Sequence, residues 1–264
     1  MKLKSTLPVL LFFFLAYFSN AQNSKFDFSF STGVGIPMGR MSTPGSEDKY
    51  VSSKYLDYFS LQVDESRTFS IPYGYASIGY NFDLRGTYRF HHIIGLTASL
   101  NGMFNAADES KFKAAVNVDR PNSSNDLKTF NSTNTQCYAL MLGPNFTYKL
   151  NEKGSVDFYT MLGVANVTPG TIIVETNSTS ETDQLVTNSF NTVALQIGGN
   201  INYNMTNRLY AKVGVSYFYA SKDTETEMKI YNAPYILIYT EYPKYTQQFD
   251  VTLFCMNAGI GFKL

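Results

Sequence analysis

The sequence has no tryptophan, only two cysteines and two histidines, and no excess of either charge, with 21 basic and 21 acidic residues. Two thiols are too few to staple a disulfide-rich scaffold. Balanced charge leaves no basic face for nucleic acid, so no nucleic-acid partner is expected. Beyond the N-terminus no stretch supplies the run of about 18 apolar residues that a membrane-spanning helix needs. The histidines are adjacent, His91 and His92, with no acidic or cysteine cluster beside them. Neighbours in a strand end point oppositely, so the ligand sets that metals require are missing and no metal or cofactor is expected. Gly33 and Gly35 are not followed by a helix, which excludes a phosphate-cradling loop. No nucleophile, base and orienting group come together anywhere in the pattern, so no catalytic residue is assigned and the chain is not expected to be an enzyme.

What the sequence does have is aromatic and alternating. Tyrosine (20) and phenylalanine (21) are abundant, and both favour strands and membrane interfaces. Residues 1–22 read as a secretory signal, with Lys2 and Lys4 ahead of the apolar run Leu7 to Phe18 and small residues Ser19, Asn20 and Ala21 before the cleavage point. The remainder, 23–264, is long enough for one large β domain.

The last stretch carries the clearest pattern. Counting back by twos from the end gives Leu264, Phe262, Ile260, Ala258, Met256 and Phe254 on one face, and Lys263, Gly261, Gly259, Asn257 and Cys255 on the other. A period of two is the signature of a β-strand, whose successive side chains point to opposite faces. The same alternation recurs over Phe26 to Met38, Ala76 to Phe90, Ile94 to Phe104, Tyr138 to Lys149, Val156 to Val167, Val193 to Asn204 and Leu209 to Tyr217. Pro144 interrupts the fourth of these, and a bulge is expected there because proline cannot donate to a ladder. The connections alternate: long polar segments follow the first, third, fifth and seventh strands, and short turns at Phe90-His91-His92, Asn151 to Gly154 and Met205 to Arg208 join the others.

Eight amphipathic strands with alternating long and short connections predict an all-β, eight-stranded antiparallel up-and-down transmembrane β-barrel with four long extracellular loops and short periplasmic turns. The apolar stretches have the length of about ten residues that a tilted transmembrane strand requires. The opposite set, mostly Gly, Ser, Asn and Thr with a few charges, then faces the lumen. Seven of these charges, Asp27, Asp83, Arg85, Lys149, Asp157, Lys212 and Lys263, fall near a short turn or a terminus. They are expected to meet as a structural cluster at the periplasmic end, with Arg85 bracketed by acids such as Asp27, Asp83 or Asp157, because a buried charge is costly unless paired. Outward aromatics at that level, such as Phe26, Tyr88, Phe158 and Phe262, would form a girdle. Cys137 and Cys255 both face the lumen from opposite walls, too far apart for a disulfide.

With these strands and the ending Gly259-Ile260-Gly261-Phe262-Lys263-Leu264, the chain resembles the small outer-membrane β-barrel family of Gram-negative bacteria, the porin-like or OmpA-like group, without a peptidoglycan-binding domain. The resemblance implies localisation in the outer membrane with both termini periplasmic, contact with outer-membrane lipids, and recognition of the C-terminal strand by the barrel-assembly machinery. It brings no catalytic residues, because function on such a fold resides in grafted sites. The expected role is a structural or surface-interaction barrel with a side-chain-plugged lumen, displaying loops to an extracellular ligand. The alternatives are a small passive porin-like channel and a soluble lipocalin-like binder.

Overall fold

The computed structural model describes residues 25–42, 49–51, 68–70, 76–111, 127–176, 181–232, 236–239 and 245–264; the expected signal segment 1–22 lies outside them. Eight strands form a closed barrel: β1 (Phe26–Pro37), β2 (Gly79–Arg89), β3 (Ile94–Asn105), β4 (Thr135–Lys149), β5 (Gly154–Thr168), β6 (Phe190–Asn204), β7 (Leu209–Asn232) and β8 (Tyr245–Lys263). Each pairs antiparallel with the next, and β8 returns to β1 in a register that sets Ser29 opposite Gly261 and Gly35 opposite Cys255. The Leu264 N–H donates to the Phe26 carbonyl at 2.8 Å. Closure leaves no edge with unpaired backbone groups.

Alternation decides which side chains go inside. Along β4, Cys137, Ala139, Met141, Gly143, Asn145 and Thr147 are buried while Tyr138, Leu140, Leu142, Phe146 and Tyr148 are exposed. The usual relation of core and surface is therefore reversed. Leu140 is 67% exposed and Val193 71%, whereas Asp83, Asn101 and Gln196 are buried. An exterior this apolar would be a liability in water, and it suits lipid.

Pro144 makes no bulge. It stays in register opposite Leu96 of β3, and the pairing of β4 with β5 keeps the same register on either side of it, Leu142 with Leu162 and Asn145 with Tyr159. The ladder skips Gly143 and Pro144 on that side only. Gly143 allows the two strands to run this close, since a Cβ there would stand 2.0 Å from the Thr160 carbonyl oxygen.

The short turns are closed by side chains. Asn151 Oδ1 accepts from the N–H groups of Lys153 (2.9 Å) and Gly154 (2.6 Å), and Thr206 Oγ1 accepts from those of Arg208 (3.2 Å) and Leu209 (2.9 Å). These are Asx and ST turns, in which a short polar side chain replaces a backbone acceptor. At the other end of the barrel the long segments are not all loop. Leu127–Ser132, Ile172–Thr176 and Glu181–Thr187 continue β4, β5 and β6 beyond brief breaks, and they pair with one another and with the outer end of β7. Ile236–Tyr239 adds to β7 on its other side. The wall formed by β4 to β8 thus rises above that formed by β1 to β3. In Leu127–Ser132 and Glu181–Thr187 the polar composition suggested loop, because it lacks the apolar alternation on which periodicity depends. A separate two-stranded sheet pairs Lys49–Val51 with Thr68–Ser70.

Candidate functional site: the lumen and its mouth

The inward face of the barrel changes character along its axis. At the end carrying the termini and short turns it is charged. Arg85 pairs with Asp83, two residues away on the same face of β2, and its guanidinium lies 3.9 Å from the centroid of the Tyr159 ring. Arg89 pairs with Asp27 of β1, which also accepts a long 3.5 Å hydrogen bond from the Tyr210 hydroxyl. Asp157 accepts from Thr147 Oγ1 and from Asn202 Nδ2, both at 2.6 Å. Lys212 Nζ donates to Ser29 Oγ at 3.1 Å. The three carboxylates thus have separate sets of donors. Charge-assisted contacts of this kind are what make a buried charge tolerable.

Of the seven charges expected to cluster, the structure buries Asp27, Asp83, Arg85, Asp157 and Lys212 inside the lumen. Lys263 is half-buried at its mouth, where Nζ donates to Asn204 Oδ1 at 2.6 Å. Lys149 lines the mouth but is solvent-exposed, because it is the final residue of β4, past the last level of inward side chains. Arg85 is not bracketed by several acids. It has Asp83 and an aromatic face, while Arg89 holds Asp27.

Arg89, Tyr159 and Tyr210 are members of the arrangement that the charge pattern alone did not single out. Arg89 follows Asp83, Arg85 and Thr87 at a spacing of two, so the alternation already placed it inward. The tyrosines had a subtler signal. Each faces a glycine on the next strand, Tyr159 opposite Gly198 and Tyr210 opposite Gly261. A Cβ on Gly261 would lie 2.1 Å from Tyr210 Cζ, so the ring occupies the space the glycine leaves.

Above the charged layer comes a neutral polar one. Asn101 Nδ2 reaches across the lumen to Gln196 Oε1 at 3.2 Å, and Gln196 Nε2 donates to Ser216 Oγ at 3.2 Å. Beyond it the inward set, expected to be mostly small and polar, becomes apolar: Met103, Cys137, Met161, Phe218, Leu253 and Cys255 belong to one buried cluster. Met41 packs into that cluster from the single helical turn Gly39–Met41 after β1. Both cysteines are free and buried. His91 and His92 lie against each other at a tilt in the first short turn, ring centroids 3.9 Å apart. Among the described residues no group of three or more His, Cys, Asp or Glu is placed to hold a metal.

At the terminal end the lumen opens into a cavity of about 550 Å³ whose lining includes Arg89, Lys149, Asn202, Tyr210 and Lys263.

No protein-family model matches the chain, and no curated protein does. Among solved structures it is similar to a major outer membrane protein from Thermus thermophilus, at 12% identity over 90% of this chain and 99% of that one, with a TM-score of 0.48. It is similar to the outer membrane protein OprG from Pseudomonas aeruginosa, at 14% identity over 91% and 96%, with a TM-score of 0.44. It is also similar to the outer membrane protease OmpT from Escherichia coli, at 9% identity over 90% and 96%, with a TM-score of 0.46. At these identities a likeness concerns the fold and carries no activity from one chain to another. The hydrogen-bonded closure of eight antiparallel strands, apolar outside and polar within, is the fold of the small outer-membrane β-barrels.

Proposed function

We propose that the chain is an integral outer-membrane β-barrel whose own side chains close the lumen, and that it serves as a structural or surface-interaction protein. The observation that carries this reading is the reversed burial: one alternation puts apolar side chains outward on all eight strands and paired charges inward. Lipid covers the outer face, and an interior of eight strands is just wide enough to be filled by side chains. The short turns and both termini face the periplasm. The β4 to β8 wall, with its strand extensions, stands on the extracellular side and presents the surface on which a ligand docks. The C-terminal strand, alternating Phe254, Met256, Ile260 and Phe262 outward, is the segment offered to the assembly machinery. The role is one of scaffold and display.

Cell fractionation joined to planar-bilayer recording tests this. The protein should be extracted from the outer membrane by detergent and show heat-modifiable gel mobility, and the refolded barrel should pass no steady current. Steady conductance would replace the closed scaffold with a passive pore. A freely soluble periplasmic protein would overturn the membrane reading altogether.

A further inference from the structure

The cavity at the terminal mouth has features that closing the lumen does not require. Its volume, about 550 Å³, falls in the range of small-molecule sites, roughly 300–1,000 Å³. Its charged lining is one-sided: Lys25, Arg89, Lys149 and Lys263 are basic, and Glu152 is the acid among the lining residues. Asp27 and Asp157 lie beneath, engaged by Arg89 and by Thr147 and Asn202. A recess walled by one sign of charge focuses the field and concentrates counter-ions. Lys25 and Lys149 are exposed, so their ammonium groups are available to a ligand from water.

Two buried polar atoms in this lining have no hydrogen-bond partner: Arg89 Nε, a donor, and Asn202 Oδ1, an acceptor. Asn202 is only 5% exposed, and its Nδ2 is committed to Asp157. A buried polar atom left unpaired is costly; both atoms are covered in the unliganded barrel, so a ligand reaches them by displacing the side chains over them, and satisfying both would then recover that cost. The donor set asks for an oxyanion, and the lone acceptor asks for a hydroxyl beside it.

We propose that this mouth is a binding site for a hydroxylated phosphate ester, a glycerol- or sugar-phosphate group, with the oxyanion held by Arg89, Lys149, Lys263 and Lys25 and a neighbouring hydroxyl donating to Asn202 Oδ1. A lipid headgroup and a free solute both carry this chemistry.

The test uses the refolded full barrel in zwitterionic detergent, titrated with glycerol 3-phosphate and, separately, with inorganic phosphate. Binding is followed by calorimetry and by the side-chain amide signal of Asn202. Glycerol 3-phosphate should bind saturably and more tightly than inorganic phosphate, and should move the Asn202 signal. The double variant Lys25→Gln with Lys149→Gln should weaken binding by about tenfold, as loss of charge-assisted contacts requires. Both residues are exposed, so heat-modifiable mobility should be unchanged. Absence of saturable binding to the wild type, equal binding by the double variant, or no preference over inorganic phosphate would each overturn the site as drawn. A second arm separates the two sources. In phosphatidylcholine vesicles glycerol 3-phosphate should bind. If adding phosphatidylglycerol abolishes that binding, the group belongs to a lipid; if binding persists, it belongs to a solute.

Discussion

The two halves of the lumen solve one problem by different means. Both must fill a narrow tube from strands whose outward side chains are already committed to lipid. At the terminal end the filling is Asp27, Asp83, Asp157, Arg85, Arg89 and Lys212 with tyrosine and amide partners. At the opposite end it is Met103, Met161, Phe218, Val251 and Leu253, packed as in the interior of a soluble protein. The apolar half should tolerate apolar replacements that preserve volume. The charged half tolerates only replacements that leave every remaining charge with a partner. The difference shows that an inward-facing residue in a small barrel need not be polar; it must fill space and be satisfied.

The sharpest way to break the comparison is at Arg85. Arg85→Ala strands Asp83 and empties the face of Tyr159, and we expect a loss of about 3–5 kcal/mol, the usual result of removing one partner of a buried pair. A urea titration of the barrel folded in vesicles measures it. Replacing the pair together, Arg85→Met with Asp83→Leu, should recover most of that loss, which a simple cavity would not do. Next in size is the lipid face: Ile197→Arg should cost about 2–4 kcal/mol near the bilayer midplane in the same titration, and a negligible effect would mean that Ile197 does not face lipid. Smaller again is a polar intrusion into the apolar half. Cys137→Ser places a hydroxyl among hydrocarbon and should cost about 1–3 kcal/mol. The reverse exchange at the charged end, Ser31→Ala, removes a buried hydroxyl that has no partner and should change stability by less than about 0.5 kcal/mol. Equal costs for these two would erase the distinction between the halves.

Another small effect lies outside the barrel wall. Asp108 accepts from Ser110 Oγ at 2.6 Å and from the Lys111 N–H at 3.2 Å, and these bonds, the Ser110 hydroxyl first, hold its carboxyl below the usual carboxylate range. A depressed pKa means that the bonds contribute above the unfolded value and are lost as pH falls through the folded one. Asp108→Ala should therefore cost about 0.5–1 kcal/mol of local order at neutral pH. Protection of the Ser110 and Lys111 amides, measured against their intrinsic exchange rates, should fall in the variant at neutral pH and in the wild type only in acid.

Much of this was legible before any coordinates. The eight strands, their outward faces and the inward position of Asp27, Asp83, Arg85, Asp157 and Lys212 follow from alternation, and the structure has them so. Three things were not legible. Pro144 looked like a bulge, because its missing N–H must be accommodated, yet the ladder accommodates it by skipping two residues on one side. The strand extensions Leu127–Ser132 and Glu181–Thr187 are too polar to show an alternation. The partner taken by each acid, cation or neutral donor, depends on height along the axis as well as on facing.

That last point marks what the sequence by itself determined. Period-two alternation is local, set by the pleat, so the chain alone dictates which residues look inward and which look outward. Closure, stagger and depth are global. Asp27 meets Arg89 across 62 residues and Asp157 meets Asn202 across 45, because the register of each strand on the next sets how high every side chain stands in the tube. Only the tertiary structure could therefore decide which partner each charge takes at that end, that the far half of the lumen is apolar, and that a basic recess opens where β1 begins and β8 ends.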